Sequence, residues 1–287
     1  MKKTFILVVV AKLIFFATML PGQSIPLEQC PGISMSVEFL KPYFVSSNSN
    51  FATTVLFFTG RLSLSQTIII VGDLPLAHHG YKDVFGLEGF ESSTIMGNPY
   101  LGVEIRKQTF PLFAELGFRL PLGTDRFKED VHDPESRATG VARIADPDRF
   151  EAFALYDLTL TARLNYRHKL GSDFQLHLRG GWSGGGSNRE YGPGDFQTLD
   201  YSVQLGYQIE QVSIIGGLTG RYLLDGSTFH LSRHNPRRGR TAHQIAVAAS
   251  MGSAAVRPGL HFRVPVDDYL NGKLRFILGF NLVIKLK

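Results

Sequence analysis

A chain of 287 residues, 44% of them hydrophobic and 19% charged, is too apolar to be disordered, and a mean hydropathy of +0.01 is too low for a bundle of membrane helices. Thirty glycines favour turns and strands over helices. The formal charge of +5 falls to +2 once Lys2, Lys3 and Lys12 are assigned to a removable leader, which leaves 27 Lys and Arg against 25 Asp and Glu and removes the case for a nucleic-acid partner.

The leader is residues 1–24. Lys2-Lys3 precede an apolar run from Phe5 to Leu20, and Pro21, Gly22 and Ser24 follow in the layout of a cleaved signal peptide. Interrupted by Lys12, that run is short for a membrane span of about 20 residues. The chain is therefore expected to be exported. Residues 25–32 then form a periplasmic segment, either a candidate plug or a disordered terminus. Cys30 is the single cysteine, so no disulfide framework is expected.

From Ile33 onward apolar residues recur at alternate positions, the period of half-buried strands. Twelve are expected: 33–45, 52–65, 67–79, 98–108, 112–122, 154–169, 173–186, 198–210, 213–224, 241–252, 254–267 and 274–286. In the last, Leu274, Phe276, Leu278, Phe280, Leu282 and Ile284 share one face, and Arg275, Gly279, Asn281 and Lys285 take the other. Longer and shorter connections alternate throughout, so an up-and-down arrangement gathers every long loop at one end. That asymmetry, with an even strand count, belongs to transmembrane barrels of the bacterial outer membrane. A soluble barrel of twelve strands would enclose an apolar void, because about eight strands already leave an interior that side chains just fill. A two-sheet sandwich is the remaining soluble alternative. In lipid, a closed barrel pairs every backbone polar group and accepts an apolar exterior. The expected fold is an all-β, transmembrane, up-and-down antiparallel β-barrel over 33–287, with short periplasmic turns and long extracellular loops. Tyr156 with Tyr166, and Phe174 with Trp182, fall at the spacing of interfacial aromatic girdles.

Gly72-Asp73-Leu74-Pro75-Leu76, Gly97-Asn98-Pro99-Tyr100-Leu101-Gly102-Val103-Glu104, Leu120-Pro121-Leu122-Gly123, Pro147-Asp148-Arg149-Phe150-Glu151-Ala152-Phe153 and Pro258-Gly259-Leu260 through Arg263-Val264-Pro265-Val266 carry a further signal. Over most of 33–286 the chain resembles outer-membrane barrels of the "MetA pathway of phenol degradation" type, near the long-chain fatty-acid transporter superfamily. The resemblance implies a barrel that handles hydrophobic or aromatic compounds. It also implies the outer-membrane insertion machinery as a partner, although the chain ends Ile284-Lys285-Leu286-Lys287 without the terminal aromatic common in such strands.

With the apolar rows toward lipid, the lumen receives Arg61, Arg106, Arg119, Arg163, Arg167, Arg179, Arg221, Arg257, Arg263 and Arg275, opposed by Asp73, Glu104, Glu115, Asp157, Asp200 and Glu210. Facing arginines and carboxylates pair as struts, or the arginine excess draws anionic solutes along a pore. Arg61, Arg106, Arg119, Arg163, Arg179, Arg221, Arg263, Glu104, Glu115, His177 and His261 are the candidate solute-binding residues. The most concrete pairing expected is across the fourth and fifth strands, among Glu104, Arg106, Glu115 and Arg119.

Signatures of enzymes, cofactors and metals are lacking. Gly180 to Ser187 is glycine-rich but is neither a Walker loop nor G-x-G-x-x-G. His78-His79, His230 and His234 have no cysteine or carboxylate at ligand spacing. His177 and His261 keep a membrane-embedded hydrolase as a minor alternative, with no serine assigned. The basic loop Arg233 to Arg240 suits phosphates of outer-leaflet lipid and lipopolysaccharide. Residues 123–153 are too long for an idle loop, and Asp146-Pro147 reads as an N-cap with proline at the first helical position, so a short helix over 147–153 is expected over or inside the mouth. The leading expectation is a channel or transporter for a small hydrophobic, aromatic or anionic molecule. The alternative is a structural or adhesive surface barrel working through its loops.

Overall fold

The computed structural model describes residues 33–45, 53–82, 90–107, 110–122, 134–154, 158–186, 196–226, 240–252 and 255–286. The leader, the 25–32 segment, Cys30, Tyr156, Asp157, His230, His234 and most of the basic loop lie outside them. Thirteen strand segments follow in order: β1 (Ile33–Phe44), β2 (Thr54–Ser63), β3 (Ile68–Lys82), β4 (Phe90–Met96), β5 (Tyr100–Arg106), β6 (Leu112–Arg119), β7 (Leu158–Leu170), β8 (Phe174–Gly186), β9 (Phe196–Ile209), β10 (Val212–Gly226), β11 (Thr241–Met251), β12 (Val256–Pro265) and β13 (Leu274–Leu286).

Each strand pairs antiparallel with its neighbour. β1 pairs with both β2 and β13, and β2 with β3, so the sheet closes. Both β4 and β5 lie along β3, the first against Leu76–Lys82 and the second against Ile68–Asp73. Together they form one strand broken at Gly97-Asn98-Pro99, and the barrel has twelve staves. The expected loop over 80–97 is corrected here: β3 and β4 continue as a hairpin arm. Glu91-Ser92-Ser93-Thr94 carries too little apolar alternation to announce a strand, and pairing with β3 holds it in place.

The burial pattern decides which face is inside. On β6, Leu116 is 56% exposed while Arg119, three residues on, is 2% exposed. This inversion of a soluble protein repeats around the ring, with Leu101, Leu160, Val203, Val247 and Phe280 outside and Glu104, Thr161, Gln204, Gln244 and Asn281 inside. Only a lipid exterior makes those rows favourable. Outward aromatics gather at both ends. Near the long loops Tyr43 stacks on Phe276 at 4.5 Å and Phe276 meets Phe262 at 5.4 Å, while near the short turns Phe174 meets Tyr207 at 4.7 Å. The turn between β7 and β8 places Gly171 at φ 92°, a conformation that strains any residue with a Cβ.

The inside is not uniformly polar. Leu40, Phe44, Val55, Phe57, Ala77, Ile95 and Ile277 are buried on the inner surface at the long-loop end. They meet a segment that enters the barrel between β6 and β7: helix α1 (Pro134–Ala145) and a 3₁₀ helix over Pro147–Phe153.

Candidate functional site: a lumen closed by its own loop

Alanine favours helix formation and allows close approach. Ala138, Ala142 and Ala145 fall at helical spacing and form one face of α1, which packs on the inner apolar patch together with Ala152 and Phe153. Phe153 is fully buried, with its ring 6.1 Å from that of Phe57. Arg143 Nε donates to the carbonyl of Phe153 at 2.9 Å and ties the two helices together. The 3₁₀ helix begins as expected at Asp146-Pro147, but the Asp146 side chain caps no backbone N–H. Its carboxylate reaches Arg149 and Arg263 instead.

Charged contacts fasten the plug to β1 and β12 on one side of the wall and to β6 and β7 on the other. Glu38 of β1 pairs with Arg149 of the plug and, at 2.6 Å, with Arg263 of β12; Arg263 also reaches Asp146 at 3.3 Å. Glu151 lies 3.2 Å from Arg163 of β7 and 3.8 Å from Arg119 of β6. Arg119 donates to the carbonyl of Asn98 at 3.0 Å and to Asp73 at 3.2 Å. At the break between β4 and β5, the Asn98 N–H donates to the carbonyl of Ala152 and its side-chain amide to that of Ala154, both at 2.6 Å. Gly97 is required there, because a Cβ would run into the Ala152 carbonyl, the Phe153 ring and Pro75. Across the lumen the Arg221 guanidinium lies 4.1 Å from the Phe150 ring centre and Phe150 meets Phe196 at 5.2 Å.

The expected site residues all face inward but divide into two groups. Arg119, Arg163, Arg221 and Arg263 hold the plug. Arg61, Arg106, Glu104, Glu115, His177 and Arg179 lie toward the short-turn end, with His261 between. The expected pairing among Glu104, Arg106, Glu115 and Arg119 is corrected. Antiparallel register sets Glu104 opposite Glu115, like charges that draw arginines from other strands. Glu104 pairs with Arg61 of β2, and Glu115 takes Arg163 at 3.3 Å and the Tyr100 hydroxyl at 2.6 Å. Arg119 turns to Asp73 and Glu151. His177 stacks on Phe113 and lies 3.4 Å from Gln204; His261 lies 3.7 Å from Glu38. No serine among the described residues bonds either histidine. His78 and His79 alternate faces, one beside Thr94 at 2.8 Å outside and the other beside Thr53 at 3.0 Å inside.

Sequence reasoning missed Glu38, Asp146, Arg149 and Glu151. Glu38 follows Ser34 and Ser36 on the polar face of β1, which was a readable signal.

Asp148 of the plug is buried. Burial and the nearby Asp146 and Asp200 push its carboxyl above the ordinary 3.8, against the opposing pull of Arg179 and Arg263. A group whose acid dissociation is suppressed in the docked plug favours docking at low pH, and that contribution is lost as pH rises through its raised value. Protease protection of 134–154 is therefore expected to decline with rising pH more steeply in the native protein than in Asp148→Asn. Superimposable pH curves for the two would rule this out.

No family model and no curated protein matches this sequence. Solved structures do match. An outer membrane channel from Pseudomonas putida F1 superposes with a TM-score of 0.60 at 14% identity, over 92% of this chain and 98% of that one. LpxR from Salmonella typhimurium gives 0.52 at 14% identity, over 88% and 100%. The NanC porin gives 0.51 at 6% identity, over 89% and 100%. The closed antiparallel sheet, its lipid-facing rows and these similarities define the class: a β-barrel of the bacterial outer membrane.

Proposed function

We propose that this barrel is a gated channel that passes a small polar or anionic solute when the 134–154 plug leaves the lumen. One observation carries the reading. The lumen is closed by a loop of the same chain held through ion pairs to opposite walls, an arrangement that seals the barrel yet can exchange its partners for water. The channel and porin names of two fold neighbours agree with this reading. A polar solute fits that lining better than the aromatic compounds implied by the family resemblance.

Planar bilayers test this. The purified protein is expected to show discrete steps between a closed and a conducting level, with conducting time increasing when the plug is destabilised. A silent membrane with both the native chain and a plug-deleted chain would reject the channel.

A further inference from the structure

Along one row of lumen side chains, several buried polar atoms make no hydrogen bond among the described residues. Register places Arg179 of β8 beside Ser202 of β9, Ser202 beside Thr219 of β10, and Thr219 beside Gln244 of β11. Strands lie about 4.8 Å apart, so the row spans roughly 14 Å, the length of a small saccharide. Gln244 is fully buried, yet neither its amide oxygen nor its amide nitrogen has a hydrogen-bond partner among the described residues. Its surroundings explain why: Ala242 and Ala246 flank it on the same face of β11, and its register neighbour on β12 is Pro265. The Ser202 hydroxyl and the Nε of Arg179 and of Arg221 are likewise buried and make no hydrogen bond among the described residues, with Asp200 Oδ2 4.0 Å from the Arg179 Nε. The plug's Asp148 interacts electrostatically with Arg179, and its Oδ2 also makes no hydrogen bond among the described residues.

A buried amide left unpaired is costly, and natural cores avoid it. A side-by-side hydroxyl, carboxamide, guanidinium and carboxylate offers alternating donors and acceptors, the complement of adjacent hydroxyl groups. We propose that this row, with Asp148, binds a sugar-sized polyhydroxylated solute. The inference rests on the channel reading and gives it a solute class.

The test uses the full mature chain in detergent and isothermal titration with glucose, arabinose, sucrose and gluconate, with benzoate as the aromatic probe. At least one sugar probe is expected to bind. Gln244→Leu is expected to weaken that binding about tenfold, the effect of one lost hydrogen bond to a ligand, and Ser202→Ala to weaken it by less. Gln244→Leu is also expected to keep or raise the thermal midpoint, because leucine removes a group that the empty protein leaves unpaired. A lowered midpoint would show that the amide is satisfied in the empty protein and would overturn the site. So would sugar binding that ignores the substitution, binding of benzoate alone, or no binding. Conductance separates the two readings: a chain that conducts but binds no sugar loses this site and keeps the channel, while one that binds but never conducts, plug present or deleted, loses the channel.

Discussion

Glu38→Gln is expected to undock the plug. Glu38 is fully buried and sits between two guanidiniums, Arg149 from the plug and Arg263 from the wall, which otherwise share only Asp146. Removing its charge leaves the buried Arg263 and the largely covered Arg149 to share one carboxylate. Breaking a buried pair from one side costs about 3–5 kcal/mol, so the docking equilibrium shifts by roughly two to three and a half orders of magnitude toward the withdrawn state, where both arginines reach water. The change should appear as protease cleavage within 134–154 and as longer conducting periods. Glu38→Gln with Arg149→Gln restores the charge balance and leaves Arg263 with Asp146, so partial recovery of protection is expected. If Glu38→Gln stays as protected as the native protein, the carboxylate does not hold the plug.

The fold was legible where a strand has one face in lipid. Leu158, Leu160, Leu164 and Leu170 alternate with Thr159, Thr161, Arg163 and Asn165 because bilayer and lumen impose opposite chemistry on successive residues. Where that rule lapses, so did the reading. Val55, Leu56, Phe57 and Phe58 are apolar on both faces, which a water-filled lumen would not tolerate; Val55 and Phe57 are covered by α1 and Phe153. Such two-sided runs are the sequence trace of a plug. Helix α1 went unread, although Ala138, Ala142 and Ala145 stand at helical spacing, but the place of the plug was visible in the length of 123–153 and in Asp146-Pro147. Its partners were not, since Arg263 and Glu38 lie 225 residues apart and meet only because β12, β13 and β1 close the barrel.

Replacing 134–154 by a short Gly-Ser linker is expected to have the largest effect of any change, turning an intermittent channel into one that conducts continuously and prefers anions. The preference follows from what the plug contributes. On the described strands, Arg61, Arg106, Arg119, Arg163, Arg167, Lys169, Arg179, Arg221, Arg257, Arg263 and Lys285 face inward against Glu38, Asp73, Glu104, Glu115 and Asp200, eleven cations to five anions. The four acids of 134–154 (Glu135, Asp146, Asp148 and Glu151) outnumber its three arginines (Arg137, Arg143 and Arg149) by one, so excision widens the excess and frees Arg119 and Arg163 from Glu151. Fixed positive charge along a pore raises the local anion concentration and opposes cations. Closure of the barrel does not depend on the segment, because β6 and β7 pair directly from Leu112–Tyr166 to Arg119–Thr159. The reversal potential in a KCl gradient reads the outcome, and a β-sheet circular-dichroism spectrum with faster migration of the unheated protein in SDS gels establishes that the variant is folded. A folded variant with native conductance, or one that prefers potassium, would mean that the loop neither closes the lumen nor leaves the arginines in command of it.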